Sequence, residues 1–222
     1  MLLIRKIKSN MSNNLDYKNN FKQGLEYLSN KNEIFSSVVK QVGSISFNKR
    51  DLKFESLIKI IINQQLSNKV ANVIFLRLKE LNLNKEITPA FISKIDFEKI
   101  RNQGVSNSKA TFMKDLSSEF LKTPKIIDKW KQLDDENAFL EIQKHNGFGP
   151  WSANIILLFY MSRPNIFPFG DSTLKKAYQN IYNKNLNKDL NELNWAEPYR
   201  SIVALYFWRW VDNGMIKVKL EN

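Results

Sequence analysis

The residues best suited to chemistry lie between Ile142 and Asp171, in the stretch IQKHNGFGPWSANIILLFYMSRPNIFPFGD. Asp171 is the single acid delivered by this stretch. Trp151, Phe159, Phe167, Pro168 and Phe169 precede it, and Lys175 and Lys176 follow. A carboxylate at the mouth of an aromatic pocket can stabilise a positively charged transition state and orient a water. Asp171 also precedes Ser172-Thr173-Leu174-Lys175, a helix start, so its plainer reading is an N-cap.

The second chemical element is the turn Asn146-Gly147-Phe148-Gly149-Pro150. Gly147 and Gly149 both permit positive φ, which allows a tight turn between two helices. Pro150 suits the first position of the new helix, where its missing N–H costs nothing. Backbone N–H groups of such a turn point outward together and offer a phosphate site, with the helix dipole in support. The plainer reading is a glycine C-cap followed by a proline helix start.

The flanking sequence reads as helices that hold these two elements. Asp16 can cap a first helix carrying Phe21, Leu25 and Leu28 on one face. Glu33–Gln41 forms a second, ending at Gly43. Asp51 can cap a third, whose apolar face is Phe54, Leu57, Ile58, Ile61 and Ile62. That helix runs into Asn63-Gln64-Gln65-Leu66-Ser67, a polar surface loop. Ser67 then caps a helix with Val70, Ala71, Ile74 and Leu78 inward. Thr88-Pro89 reads as N-cap and first helical residue, Asp96–Arg101 as a short helix, and Ser106–Leu121 as a longer one that Pro124 terminates. Asp134–His145 is amphipathic through Phe139, Leu140 and Ile142. An apolar helix runs from Trp151 to just before Arg163-Pro164. Leu174, Ala177, Tyr178 and Ile181 continue at helical spacing after Asp171, and a last, aromatic-rich helix covers Glu197–Val211. Sustained two-residue alternation is absent, so the expected class is all-α with short connections. Residues 1–14 read as a loose N-terminal arm, and 15–222 as the helical core.

Composition narrows the function. The 222 residues include 34 Lys+Arg against 22 Asp+Glu, a formal net charge of +12, which favours a polyanionic partner. An AT-rich genome, which enriches Lys and Asn, is the alternative source of that balance. With no cysteine, disulfides, Cys-ligated zinc and iron–sulfur clusters are excluded, and a single histidine makes a Ser-His-Asp triad a poor reading. No apolar run reaches transmembrane length, and the apolar part of the N-terminus is too short for a signal peptide. The expectation is an intracellular protein, in the cytoplasm or with the DNA of nucleoid or nucleus.

Four stretches together resemble one family. Asn146–Asn154 with Arg163-Pro164 and Phe167–Asp171 is similar to the helix-hairpin-helix (HhH-GPD) DNA glycosylases, and within them to the 3-methyladenine DNA glycosylase II branch. Phe54–Ala71, around Asn-Gln-Gln-Leu-Ser, resembles the helix and loop that enter the gap left by a flipped base. Gly104–Ala110 resembles a Gly-x-Ser-x-x-Lys-Ala turn of the family. Trp195–Ser201 with Trp208 resembles its C-terminal helix. The resemblance covers roughly residues 50–211.

It implies a two-lobed helical core without an iron–sulfur cluster or an N-terminal β domain. One lobe would span about 52–160, including the helix-hairpin-helix at 134–162. The other would join 15–51 to 163–222, with the active-site cleft between the lobes. It implies hydrolysis of the N-glycosidic bond of alkylated purines such as 3-methyladenine, flipped out of duplex DNA. Asp171 matches the essential aspartate, and Gly170 stands where some relatives carry a second acid. Trp151 occupies the position of the Schiff-base lysine of bifunctional relatives, which implies a monofunctional enzyme without lyase chemistry. Trp151, Ile155 and Trp208 match the base pocket, where indole faces favour a cationic base. Ile155 departs from the Tyr of some relatives, and Trp208 also reads as ordinary core. Gln65 matches the residue that fills the vacated space in the duplex, with Gln64 and Leu66 as neighbours that could share the task. The amides of Gly147, Gly149 and Trp151 would bind a backbone phosphate. Relatives often hold a monovalent cation at this turn, through carbonyls near Gly147 and Gly149; no other cofactor is implied. The expected partner of this monomer is damaged double-stranded DNA, with no membrane role. Two alternatives stay open: the same fold acting on deaminated or oxidised bases, and a non-catalytic helix-hairpin-helix DNA-binding protein.

Overall fold

The computed structural model describes residues 19–46, 50–186 and 190–217. Among them there is no strand, and no helix is long and apolar enough to cross a membrane. The Asp16 cap and the arm at 1–14 lie outside the described residues. The chain forms two compact units, Arg50–Met161 and the combination of Met1–Lys49 with Ser162–Asn222.

The unit Arg50–Met161 contains α3 (Phe54–Asn63), α4 (Asn68–Glu80), α5 (Pro89–Lys94), α6 (Phe97–Arg101), α7 (Asn107–Lys122), α8 (Ile126–Gln132), α9 (Asp135–Gln143) and α10 (Pro150–Ile155). Its helix starts follow side-chain chemistry. Ser67, Thr88, Asp96, Ser106 and Asp134 each accept a hydrogen bond from a backbone N–H of the first turn they precede. α10 continues into a π-helical turn, Ile156–Tyr160, closed by Met161 N–H donating to the Ile156 carbonyl at 3.0 Å. Leu57, Ile58 and Ile61 of α3, Met113 of α7 and Ile142 of α9 are fully buried and form the core.

The other unit contains α1 (19–31), α2 (Glu33–Val42), α11 (Ser172–Tyr182) and α12 (Arg200–Asp212), with 3₁₀ turns at Leu190–Ala196 and Met215–Lys217. Phe35 of α2 packs on Trp195, Tyr206 and Phe207, with ring centroids 5.5, 5.7 and 6.4 Å away. Gly24 lets α1 approach α12 closely: a Cβ there would lie 2.7 Å from the Ile202 side chain.

Several expectations are corrected. α3 starts at Phe54, capped by Lys53 in extended conformation, and not at Asp51. Ser56 Oγ accepts the Lys53 N–H at 3.4 Å and donates to the Asp51 carbonyl at 2.8 Å, while the Asp51 carboxylate pairs with Lys53. Val70 is exposed, because the inward face of α4 is Ala71, Ile74, Phe75 and Leu78. Leu140 is exposed because α9 buries Ala138 and Ile142. The last helix begins at Arg200, after the cis Glu197–Pro198 bond. Its buried guanidinium holds the preceding turn by donating to the Leu193 carbonyl at 3.2 Å and pairing with Glu197 at 2.7 Å. The helix α8 has no counterpart in the sequence reading.

Candidate DNA-binding and active-site elements

The hairpin between α9 and α10 depends on one glycine more than the other. Gly147 has φ +89°, and a Cβ there would lie 2.7 Å from the ring carbons of Phe112. Both backbone conformation and space therefore require glycine. Gly149 is the extended N-cap of α10 at φ −87°, and a Cβ there would meet nothing within 4 Å. The positive φ that Gly149 permits is not used, because a cap before Pro150 takes extended backbone. The N–H groups of Gly147 and Gly149 meet no acceptor among the described residues. Such donors can take an anionic oxygen.

The loop after α3 is tied to this hairpin. Gln64 Nε2 donates to the Gly147 carbonyl at 2.6 Å and to the buried Ser152 hydroxyl at 3.1 Å. Lys109, at the start of α7, donates from Nζ to the carbonyls of Ile62 at 2.9 Å and Gln64 at 2.7 Å. Burial lowers the Lys109 pKa from its ordinary value. Gln65 sits at the tip with φ +57°, the left-handed region, and both it and Leu66 are exposed. A non-glycine residue there stores about 1 kcal/mol of strain. Ser67 then starts α4. Gln64 is thus a structural tie, its amide turned into the protein, whereas Gln65 and Leu66 present their side chains outward. The expectation that Gln64 shares the outward role is corrected by those two hydrogen bonds.

The hairpin carbonyls each accept one hydrogen bond within the protein. Gly147 O accepts from Gln64, Gly149 O from Ala153 N–H at 3.0 Å, and His145 O from Phe148 N–H at 3.1 Å. Among the described residues no group of three or more His, Cys, Asp or Glu could hold a metal.

Within the same unit, Trp151 and Ile155 line one wall of a cavity of about 590 Å³. They are four positions apart, hence on one face of α10. Tyr160, in the π-helical turn, also lines the cavity.

Asp171 belongs to the other unit. It is the N-cap of α11, and its Oδ1 accepts the N–H groups of Thr173 and Leu174, both at 2.9 Å. Trp208 Nε1 donates to the same oxygen at 3.3 Å. Three donors fix the orientation of a half-buried carboxylate. The segment leading to it is anchored by Ser201, which donates to the Arg163 carbonyl at 2.6 Å and accepts the Ile166 N–H at 2.9 Å. Trp208 is half-buried, while Trp210 is fully buried and takes the core position.

The model of the HhH-GPD superfamily of base excision DNA repair proteins matches residues 58–196, more than half of the chain. The chain belongs to this superfamily. Over 192 residues it is 28% identical to DNA-3-methyladenine glycosylase 1 of Schizosaccharomyces pombe, spanning 82% of this chain and 84% of that protein. An alkylbase DNA glycosidase-like protein of the same organism is 27% identical over 208 residues, 90% of this chain and 96% of the other. The structure of a 3-methyladenine DNA glycosylase of that yeast, in complex with abasic DNA, superposes with a TM-score of 0.77. It has 27% identity and covers 86% of this chain and 97% of its own.

In this HhH-GPD protein, Trp151 and Ile155 share a cavity, and Asp171 and Trp208 share a hydrogen bond. Sequence reasoning missed the duties of Gln64, Lys109 and Phe112. Lys109 was visible as part of the Gly104–Ala110 motif, but which atoms it would hold was not. The basic lining of the cavity was also missed; Arg50, Lys59 of α3 and Lys69 of α4 leave no local pattern.

Proposed function

We propose that this protein is a base-excision DNA glycosylase that removes alkylated purines, 3-methyladenine among them, from duplex DNA by hydrolysis without strand cleavage. The observation that carries the reading is Asp171 held by three donors in a chain of this superfamily. The relatives named 3-methyladenine glycosylases support the lesion class.

The target nucleotide leaves the stack at a cost of a few kcal/mol, less where damage weakens pairing. Gln65 and Leu66 fill the vacated space, and the hairpin N–H groups hold a backbone phosphate. The bond between C1′ and the base nitrogen breaks, and its electron pair leaves with the base. The Asp171 carboxylate stabilises the oxocarbenium-like sugar and orients a water. The water oxygen bonds to C1′ and its proton passes to Asp171 or solvent, leaving an abasic site. A cationic alkylated base departs neutral and needs no added proton, and the indole faces of Trp151 and Trp208 favour such a base by about 0.5–2 kcal/mol. Trp151 has no amine to form a Schiff base, so water is the nucleophile and the strand stays intact. The partner is damaged double-stranded DNA, bound by a monomer.

The test is base release from methylated duplex DNA, followed by gel analysis with and without alkali. Free 3-methyladenine with strand breaks only after alkali supports the reading. Breaks before alkali contradict the monofunctional mechanism. Binding without base release contradicts the enzyme assignment for this lesion class.

A further inference from the structure

The cavity lined by Trp151 and Ile155 is also lined by Arg50, Lys59 and Lys69 with Asn63, Asn68 and Asn72. No carboxylate lines it. Some other cations of this unit are ion-paired: Lys79 with Glu55 at 2.7 Å, Arg101 with Glu98 at 3.1 Å, and Lys129 and Lys144 with Glu141 at 2.5 and 2.6 Å. None of Arg50, Lys59 and Lys69 has an ion pair among the described residues.

Two of the three are nevertheless held in place. The Arg50 guanidinium lies 4.8 Å from the Phe159 ring centroid and 5.9 Å from that of Tyr160, and the Arg50 N–H donates to the Phe159 carbonyl at 3.3 Å. Lys59 Nζ lies 5.1 Å from the Phe75 centroid and donates to Asn72 Oδ1 at 3.4 Å. A ring face or an amide oxygen positions a cation without cancelling its charge. Three basic residues without an ion pair among the described residues line a recess of about 590 Å³, and three amides add hydrogen-bonding capacity. Cations of this kind, with amide donors and no acid, fit a phosphoryl oxygen. The recess is within the volume range of ligand pockets.

Resting on the glycosylase reading above, we propose that Arg50, Lys59 and Lys69 form a second phosphodiester subsite for the DNA strand, separate in sequence from the hairpin. The subsite counts phosphates, so its signature is the salt dependence of binding. Each neutralised phosphate contributes about 0.9 to the slope of log K against log salt concentration on duplex DNA.

The experiment measures binding of an undamaged duplex across a salt series, which requires no base excision. Wild type is compared with Arg50→Gln/Lys59→Gln/Lys69→Gln and with the charge-matched Lys85→Gln/Lys129→Gln/Lys144→Gln. The subsite variant is expected to lower the slope by about 2, and the charge-matched variant by less than about 1. Equal slopes for the two variants overturn the subsite while leaving the glycosylase reading intact. Failure of wild type to bind DNA removes that reading and the proposal with it. Should the triple variant fail to fold, Lys69→Gln alone, an exposed residue, is expected to lower the slope by about 1; no change overturns the proposal. Inorganic pyrophosphate tests the other phosphoryl source by calorimetry. Micromolar binding, lost in the subsite variant while the DNA slope is unmoved, would assign the recess to a free phosphate compound and overturn the strand assignment.

Discussion

The loop and hairpin of the unit Arg50–Met161 and the corner around Asp171 in the other unit solve the same problem differently. In the first region, holding and contacting fall to different residues. Gln64, Lys109 and the Gly147–Phe112 approach do the holding. Gln65 and Leu66 are exposed, and the N–H of Gly149 meets no acceptor among the described residues. In the second region one residue does both, because Asp171 caps its own helix with the carboxylate proposed to do the chemistry. A substitution can therefore separate stability from function in the loop and hairpin. At Asp171 only an isostere that still caps can do so.

The largest contrast is expected between the two glycines. Gly147→Ala forces a left-handed φ on alanine and a 2.7 Å approach to Phe112, so a stability loss of about 3 kcal/mol is expected in denaturant unfolding. Gly149→Ala is expected to alter stability by less than about 0.5 kcal/mol and to weaken DNA binding about tenfold, by obstructing approach to the backbone. Equal destabilisation by both would erase the division of labour.

Lys109→Met tests the holding role next. Two carbonyls lose their donor, and a loss of about 1–3 kcal/mol is expected, with Lys109→Arg restoring part of it. Gln65→Gly is expected to move stability the other way, by about 0.5–1 kcal/mol, because it relieves the strained φ of +57°. Base release should nevertheless fall in that variant. A Gln65→Gly protein with full activity would contradict the outward role.

The smallest effect lies on the hairpin's first helix. Hydrogen bonds from Lys129 and Lys144 hold the Glu141 carboxyl down to about 2, against an ordinary 4.5. A depressed carboxylate pKa stabilises fully above the unfolded value and loses that contribution as pH falls from about 4.5 towards 2. These lysines are largely exposed, so the contribution is at most about 1 kcal/mol. Glu141→Gln should flatten the acid limb of a stability profile over that window, with little change at neutral pH.

What the sequence disclosed follows from the range of the interactions. Caps are local, so Ser67 and Thr88 were legible from a few neighbours. Asp171 as a helix start was legible for the same reason. The helix Ile126–Gln132 was hidden because Pro124 reads as a breaker and no side-chain cap marks its start. The π-helical turn depends on a carbonyl register that side-chain types do not encode. Gln64 and Ser152 meet across 88 positions, and Lys109 reaches back 45 to Gln64, so neither tie has a local signature. Val70 and Leu140 show the reverse failure: an apolar residue at helical spacing faced solvent because its neighbours filled the inward face.

Asp171→Asn is the most direct test, since asparagine caps a helix as well as aspartate but carries no charge. Single-turnover base release would be measured at equal DNA occupancy, alongside the melting temperature. The variant is expected to melt within a few degrees of wild type and to release base at a rate lowered at least ~100-fold, on the scale of lost electrostatic stabilisation. Release at the wild-type rate would reduce Asp171 to a cap and contradict the assignment.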